Sequence, residues 1–139
     1  EANEVRCKEY YMEDAKFAVV GFGSAGRIAL SAVRTARAEG IPVGLIRPIT
    51  LNPYPEQVVA EAASQVDGML VVEMNMGQML DDVLRVTQGQ VPVEFYGRPG
   101  GIMPLPEEIL DEIRRMAKGP IPVDGNPRDR WLARMLGKN

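Results

Sequence analysis

The feature that most constrains the fold is a regular alternation of short apolar runs with longer segments of helical periodicity. Continuous apolar runs of this length are typical of strands that are buried on both faces of a sheet. Strands that alternate with helices form βαβ units, so the pattern predicts an α/β fold with a doubly wound, mainly parallel sheet in three layers. Four to five strands are expected, and the four clear ones span residues 16–20, 43–46, 69–72 and 91–96.

Serine, glycine and proline mark the ends of the helices that connect these strands. Ser24 is expected to cap the first helix, and Gly40 follows its last turn as a stop signal. Pro55 and Pro106 suit the first turns of the second and fourth helices, because the backbone nitrogen needs no hydrogen-bond partner there. The third helix is expected over residues 77–86.

The two ends of the chain differ from its centre, which predicts three parts. Residues 1–15 are rich in charge and are expected to form a linker or an edge strand, and residues 16–124 to form the α/β domain. Residues 125–139 are expected to form a short amphipathic helix, with Trp131 and three other apolar residues on one side. This side is expected to pack on the domain itself, and docking on a neighbouring domain is the alternative. An apolar residue, a proline and a valine stand at the start of two predicted strands, at residues 41–43 and 91–93. The same pattern recurs at residues 121–123 and can start a fifth short strand.

Composition excludes several classes of function. The 139 residues include 19 acidic and 16 basic side chains, no histidine and one cysteine, Cys7. Histidine-based catalysis, histidine-containing metal sites and internal disulfides are therefore excluded, and the chain offers few side chains for catalysis or metal binding. The net charge of −3 gives no basic face for a nucleic acid, and no apolar run approaches the length of a membrane span. A cytoplasmic protein is expected.

A glycine-rich turn between the first strand and the first helix is the most conspicuous motif. Its glycines are Gly21, Gly23 and Gly26. Gly-x-Gly-x-x-Gly in this position is typical of dinucleotide-binding domains, and Arg47 at the end of the second strand could contact the 2′-phosphate of NADP. No acidic residue occurs between positions 40 and 56 to hold the ribose of NAD. The alternative, which the sequence favours, is that the glycines permit a tight turn and close packing of helix on strand.

Polar residues cluster near the carboxyl ends of the predicted strands. Arg47 follows the second strand, Glu73, Asn75 and Gln78 follow the third, and Arg98 follows the fourth. Because the carboxyl ends of parallel strands meet at one edge of a sheet, these five residues are candidates for contact with a partner. The structural alternatives are a helix cap at Asn75 and an exposed turn at Arg98.

Four segments together carry a resemblance to a known family. They are residues 17–23, 39–55, 72–79 and 97–101. These segments resemble the domain that follows the pyrimidine-binding domain in the alpha subunit of 2-oxoacid:ferredoxin oxidoreductases, a domain similar to the C-terminal domain of transketolase. The resemblance spans about residues 10–116, and it is nearer to the branched-chain and 2-oxoglutarate members than to the pyruvate members.

The resemblance implies a part in the oxidative decarboxylation of a 2-oxo acid to acyl-CoA with reduction of ferredoxin. It also implies that thiamine diphosphate, Mg²⁺ and the iron–sulfur clusters lie outside this chain, in other domains and subunits. The implied partners are the rest of the alpha subunit, the beta subunit and gamma or ferredoxin-like subunits, with ferredoxin and CoA serving the whole enzyme. The chain itself is expected to be a structural, non-catalytic domain that is inactive alone, and an NADP-binding domain is the alternative.

Overall fold

Strands and helices alternate along the chain in the computed structural model, which describes residues 7–49, 54–74, 78–98 and 102–137. The strands are β1 (Cys7–Tyr10), β2 (Phe17–Gly21), β3 (Val43–Pro48), β4 (Gly68–Glu73) and β5 (Val93–Gly97). The helices are α1 (Gly23–Ala38), α2 (Glu56–Gln65), α3 (Gln78–Thr87), α4 (Pro106–Lys118) and α5 (Pro127–Met135).

The sheet is doubly wound, as the alternation predicts. Its strand order is β1-β3-β2-β4-β5, in which β2, β3, β4 and β5 run parallel and β1 pairs antiparallel with β3. Helices α1 and α4 pack against each other, and α2 packs against α3, so each pair covers one face of the sheet. In this register Val19 lies opposite Leu45 on one side and Leu70 on the other. The predicted three-layer α/β class is confirmed.

The core lies on both faces of the central strands. All six residues of β4 and all five of β5 are buried, which explains why these strands show no alternation of apolar and polar residues in the sequence. The inner face of α1 contains small residues, Ala29, Ala32 and Ala36, beside Val33. Each of them is almost fully removed from solvent.

Two local expectations were wrong. Phe22, not Ser24, is the N-cap residue of α1, because Gly23 has a φ of +60° and turns the chain into the helix before the serine is reached. Residues 121–123 form no strand. The side chain of Ile121 instead packs over Gly68, and the outer side of β5 is occupied by α5. The fifth strand is β1, in the segment expected to be a linker or an edge strand.

The C-terminal helix α5 lies along β5. Asn126 caps it by accepting a hydrogen bond from the backbone N–H of Arg128 at 2.8 Å. Trp131 is buried and packs edge-on against Phe95, with ring centroids 5.3 Å apart. The structure therefore packs Trp131 on its own domain, against β5. The other apolar residues expected on the same side are exposed, and they are Leu132, Met135 and Leu136.

Candidate functional site at the carboxyl ends of the strands

The four parallel strands end at one edge of the sheet, which we call the carboxyl edge. It comprises Phe22 and Gly23 after β2, residues 47–49 at the end of β3, Glu73 and Met74 at the end of β4, and Arg98 with residues 102–105 after β5. The sequence-predicted residues Arg47, Glu73 and Arg98 all lie on it. Asn75 lies outside the described residues, and Gln78 is described only as the first residue of α3.

The glycine-rich turn is packed against its own helix. A Cβ atom on Gly26 would lie 2.5 Å from the carbonyl oxygen of Gly21 and 2.7 Å from Cγ of Arg47. A Cβ atom on Gly21 would in turn lie 3.0 Å from Cα of Gly26. Both positions therefore require glycine for the close approach of α1 to β2 and β3, which is the structural alternative for this motif.

Arg47 is half-buried beside this turn. The stem of its side chain packs on Gly26. Its Nε atom is buried and has no hydrogen-bond partner within the described ranges. A buried guanidinium nitrogen without an acceptor is unfavourable, so Arg47 is the residue of this edge whose polar contacts are least complete.

The carboxylate of Glu73 accepts hydrogen bonds from the backbone at the start of α3. Its Oε1 accepts the backbone N–H of Met79 and its Oε2 accepts the backbone N–H of Leu80, each at 2.9 Å. The carboxylate is only 6% exposed. Burial raises its pKa above the usual range, and the two backbone hydrogen bonds oppose that rise. Glu73 therefore has a structural role that the sequence analysis did not foresee; the only available signal was an acid that closes a buried strand shortly before a helix.

Arg98 is paired with the first turn of α4. Its Nη1 lies 2.8 Å from Oε2 of Glu108, and Oε1 of the same carboxylate accepts the backbone N–H of Leu105 at 2.8 Å. The pair is half-buried rather than a freely solvated surface contact. Arg98 thus ties the segment after β5 to α4 on the carboxyl edge.

The carboxyl edge also exposes large apolar side chains, which the sequence analysis missed. The five with the largest exposures along it are 37–57% exposed, and they are Phe22, Ile49, Ile102, Met103 and Leu105. A concentration of exposed apolar residues on one side of a small domain is typical of a surface that contacts another protein. The available signal was that apolar residues continue beyond the strand ends into the loops.

A second polar cluster lies away from this edge and was also missed. Glu94 of β5 is completely buried and is surrounded by three arginines from α4 and α5. Its Oε2 lies 3.2 Å from Nη1 of Arg115, and its Oε1 lies 3.2 Å from Nε of Arg130 and 3.8 Å from Nη1 of Arg134. Glu112 accepts hydrogen bonds from two of these arginines, Arg115 at 2.6 Å and Arg134 at 3.1 Å. The signal in the sequence was a lone acid inside an apolar strand.

Within the described part of the chain, no three side chains of histidine, cysteine, aspartate or glutamate are grouped so that they could hold a metal ion. None of the helices in this part combines the length and the apolar character that crossing a membrane would require.

Known proteins resemble this chain in sequence. Residues 15–109 match the family described as "Pyruvate:ferredoxin oxidoreductase core domain II". The ketoisovalerate oxidoreductase subunit VorB of Methanothermobacter thermautotrophicus is 48% identical over 101 residues, which are 73% of this chain and 28% of VorB. The 2-oxoglutarate synthase subunit KorA of Methanothermobacter marburgensis is 41% identical over 101 residues, 73% of this chain and 27% of KorA. The chain thus spans between a quarter and a third of the length of these relatives.

Solved structures resemble the chain in fold. The 2-oxoglutarate:ferredoxin oxidoreductase of Magnetococcus marinus superposes with a TM-score of 0.67 at 21% identity, over 79% of this chain and 19% of that one. A split-gene transketolase superposes with a TM-score of 0.64 at 16% identity, over 79% of this chain and 40% of that one. The fold is therefore the one shared by these enzymes. With the sequence match over residues 15–109, it follows that the chain belongs to the core domain II family of the 2-oxoacid:ferredoxin oxidoreductases.

Proposed function

We propose that the chain is a non-catalytic assembly domain of the alpha subunit of a 2-oxoacid:ferredoxin oxidoreductase. The observation that carries the proposal is the carboxyl edge, where segments that follow three parallel strands all present exposed apolar side chains at the same end of the sheet. A single domain gains nothing from leaving such residues in water, whereas burial against a neighbouring domain or subunit stabilises an assembly. In this function residues 16–124 form the domain, and residues 125–139 add α5 to it.

The proposed reaction of the whole enzyme is the oxidative decarboxylation of a 2-oxo acid to an acyl-CoA, with ferredoxin as electron acceptor. The names of the two relatives, ketoisovalerate oxidoreductase and 2-oxoglutarate synthase, support a 2-oxo acid as substrate. Thiamine diphosphate, Mg²⁺ and iron–sulfur clusters would be held by other domains and by the beta and smaller subunits. We place the assembled enzyme in the cytoplasm.

The interface proposal assigns different parts to the predicted residues. Arg47 and Arg98 would contact the neighbouring domain or subunit, Arg47 with the more incomplete set of partners. Glu73 would act indirectly, because its carboxylate is already engaged by α3. Asn75 and Gln78 remain predicted contacts.

An NADP site at the glycine-rich turn is the weaker hypothesis. Gly21 and Gly26 are accounted for by the contact of α1 with β2. The stem of Arg47 is part of the same packing. No observation therefore favours a dinucleotide over a packed turn.

The test is assembly and turnover of the whole enzyme with charges placed on the carboxyl edge. Ile102→Asp and Met103→Asp change exposed residues, so the domain itself should stay folded. We expect the native mass to shift towards free subunits and turnover to fall about tenfold or more, since a charge in an apolar interface must lose its water. The matched control is Val123→Asp, an exposed apolar residue near the amino end of β5, which should assemble normally. Unchanged assembly and turnover in both edge variants would refute the proposal.

A further inference from the structure

Strand β5 lies at one edge of the described sheet, so no strand of that sheet pairs with its outer side. The backbone N–H of Met69 in β4 donates to the carbonyl of Pro92 at 2.9 Å, and Met69 lies opposite Val93 in the register. In a parallel pair the backbone groups of alternate residues face the partner strand. Residues 92, 94 and 96 therefore face β4, and the carbonyls of Val93 and Phe95 face away from the sheet.

Two arginines of α5 donate hydrogen bonds to these outward carbonyls. Nη2 of Arg130 donates to the oxygen of Val93 at 2.8 Å, and Nη2 of Arg134 donates to the oxygen of Phe95 at 3.2 Å. The same guanidinium groups face the carboxylate of Glu94. With the edge-on contact between Trp131 and Phe95, these contacts hold α5 along β5 in place of another strand.

The helix that covers this edge is held mainly from one side. It has nine residues, and a helix that short is marginal in water without tertiary contacts. Its other side is exposed at Leu132, Ala133, Met135 and Leu136. Loss of the arginine contacts should therefore release α5 as a unit rather than loosen one end of it.

The opposite edge of the sheet is protected by other means. Strand β1 has four residues, and its two central residues, Lys8 and Glu9, are exposed and charged. Short charged strands resist edge-to-edge pairing. Strand β5, with the sequence Val-Glu-Phe-Tyr-Gly, is rich in residues that favour strands and lacks proline. Once uncovered, it is the edge that is competent to pair.

We propose that α5 is a removable cover over a strand-pairing surface, and that the uncovered edge of β5 pairs antiparallel with β5 of a second copy of the chain. A two-fold axis through Phe95 fits this surface, because it pairs Val93 with Gly97 of the copy and Glu94 with Tyr96. The two Glu94 carboxylates are then not opposite each other, and each keeps its contact with Arg115. This inference does not depend on the proposed enzyme function.

The test replaces the two arginines in the full chain, as Arg130→Gln with Arg134→Gln. The control is Arg114→Gln, since Arg114 of α4 pairs at the surface with Glu39. Fluorescence of Trp131, the single tryptophan, reports release of α5, far-UV circular dichroism reports the sheet, and sedimentation reports mass. We expect red-shifted emission, an intact sheet and a concentration-dependent shift from the mass of one chain to that of two. The amide hydrogens of Val93 and Phe95 should exchange more slowly in the dimer than in the dilute variant.

A second variant disrupts α5 without replacing any of the arginines that contact Glu94. Ala133 is exposed, so Ala133→Pro breaks α5 from its solvent side, and Ala133→Ser is the matched control. Dimer formation in both the arginine variant and the proline variant supports the proposal. A released α5 with a monomer at every concentration overturns it, and so does emission that stays unchanged in the arginine variant. Loss of the sheet in both variants also overturns it, because α5 would then be part of the folding core and not a cover.

Discussion

Two buried glutamates lie on neighbouring strands, and the protein stabilises them in different ways. Glu73 of β4 is met by two backbone N–H groups at the start of α3, six and seven residues along the chain. Glu94 of β5 is met by arginine side chains that lie 21 and 36 residues along the chain. The first arrangement holds the start of α3 at the end of β4, whereas the second fastens two later helices to the edge of the sheet. A buried carboxylate can therefore be a local or a long-range structural element, depending on what supplies its hydrogen bonds.

The largest effect is expected from removing the long-range carboxylate. Glu94→Ala removes the carboxylate from among Arg115, Arg130 and Arg134. Two donors, Nη1 of Arg115 and Nε of Arg130, then lose their acceptor. We expect the free energy of unfolding of the chain to fall by about 3–5 kcal/mol, because an uncompensated buried charge remains. Urea denaturation followed by Trp131 fluorescence measures this change. The control, Glu39→Ala, removes an exposed ion pair with Arg114 and should leave the midpoint nearly unchanged; equal effects of the two variants would contradict the comparison.

A smaller and more local effect is expected from Glu73→Ala. The backbone N–H groups of Met79 and Leu80 lose their acceptors, which destabilises the chain by about 1–3 kcal/mol. Hydrogen exchange separates this variant from the previous one. The amides of Met79 and Leu80 should exchange faster while those of α5 stay protected, whereas Glu94→Ala should expose α5 and leave the start of α3 protected. If both variants loosened the same amides, the local and long-range roles would not be distinct.

The smallest effect is a difference in pH dependence. Burial raises the pKa of Glu73 in the folded chain, so the folded state binds this proton more tightly than the unfolded state. The resulting stabilisation is fully present below the ordinary pKa of glutamate and is lost as the pH rises through the raised value. Glu73→Gln cannot titrate, so the stability of the wild-type chain relative to this variant should decline across that window. Parallel stability curves for the two chains would show that the pKa of Glu73 does not differ between the folded and unfolded states.

The sequence predicts what local patterns determine. The four parallel strands, the stop at Gly40 and the helix starts near Pro55 and Pro106 follow from apolar periodicity and backbone constraints, and the structure agrees with them. Pairing of β1 with β3 could not be foreseen, because the charged segment around Lys8 fits a linker equally well.

The candidate site was less accessible to sequence reasoning. The position of Arg47 and Arg98 on the carboxyl edge follows from strand direction alone. The engagement of Glu73 by α3 depends on how the helix axis meets the end of β4, and the arginines around Glu94 depend on the packing of two helices distant in sequence. The order of residue types along the chain predicts neither of these two arrangements.

The family match and the folded unit have different lengths. The match ends at residue 109, early in α4, whereas the arginines that neutralise Glu94 lie at positions 115, 130 and 134. A protein that ends at residue 109 would therefore keep Glu94 without the three arginines that pair with it, and the outer side of β5 would lack α5. We would expect such a protein to aggregate. A plasmid that expresses this domain should therefore encode the chain at least as far as Arg134, so that all three arginines that pair with Glu94 are present.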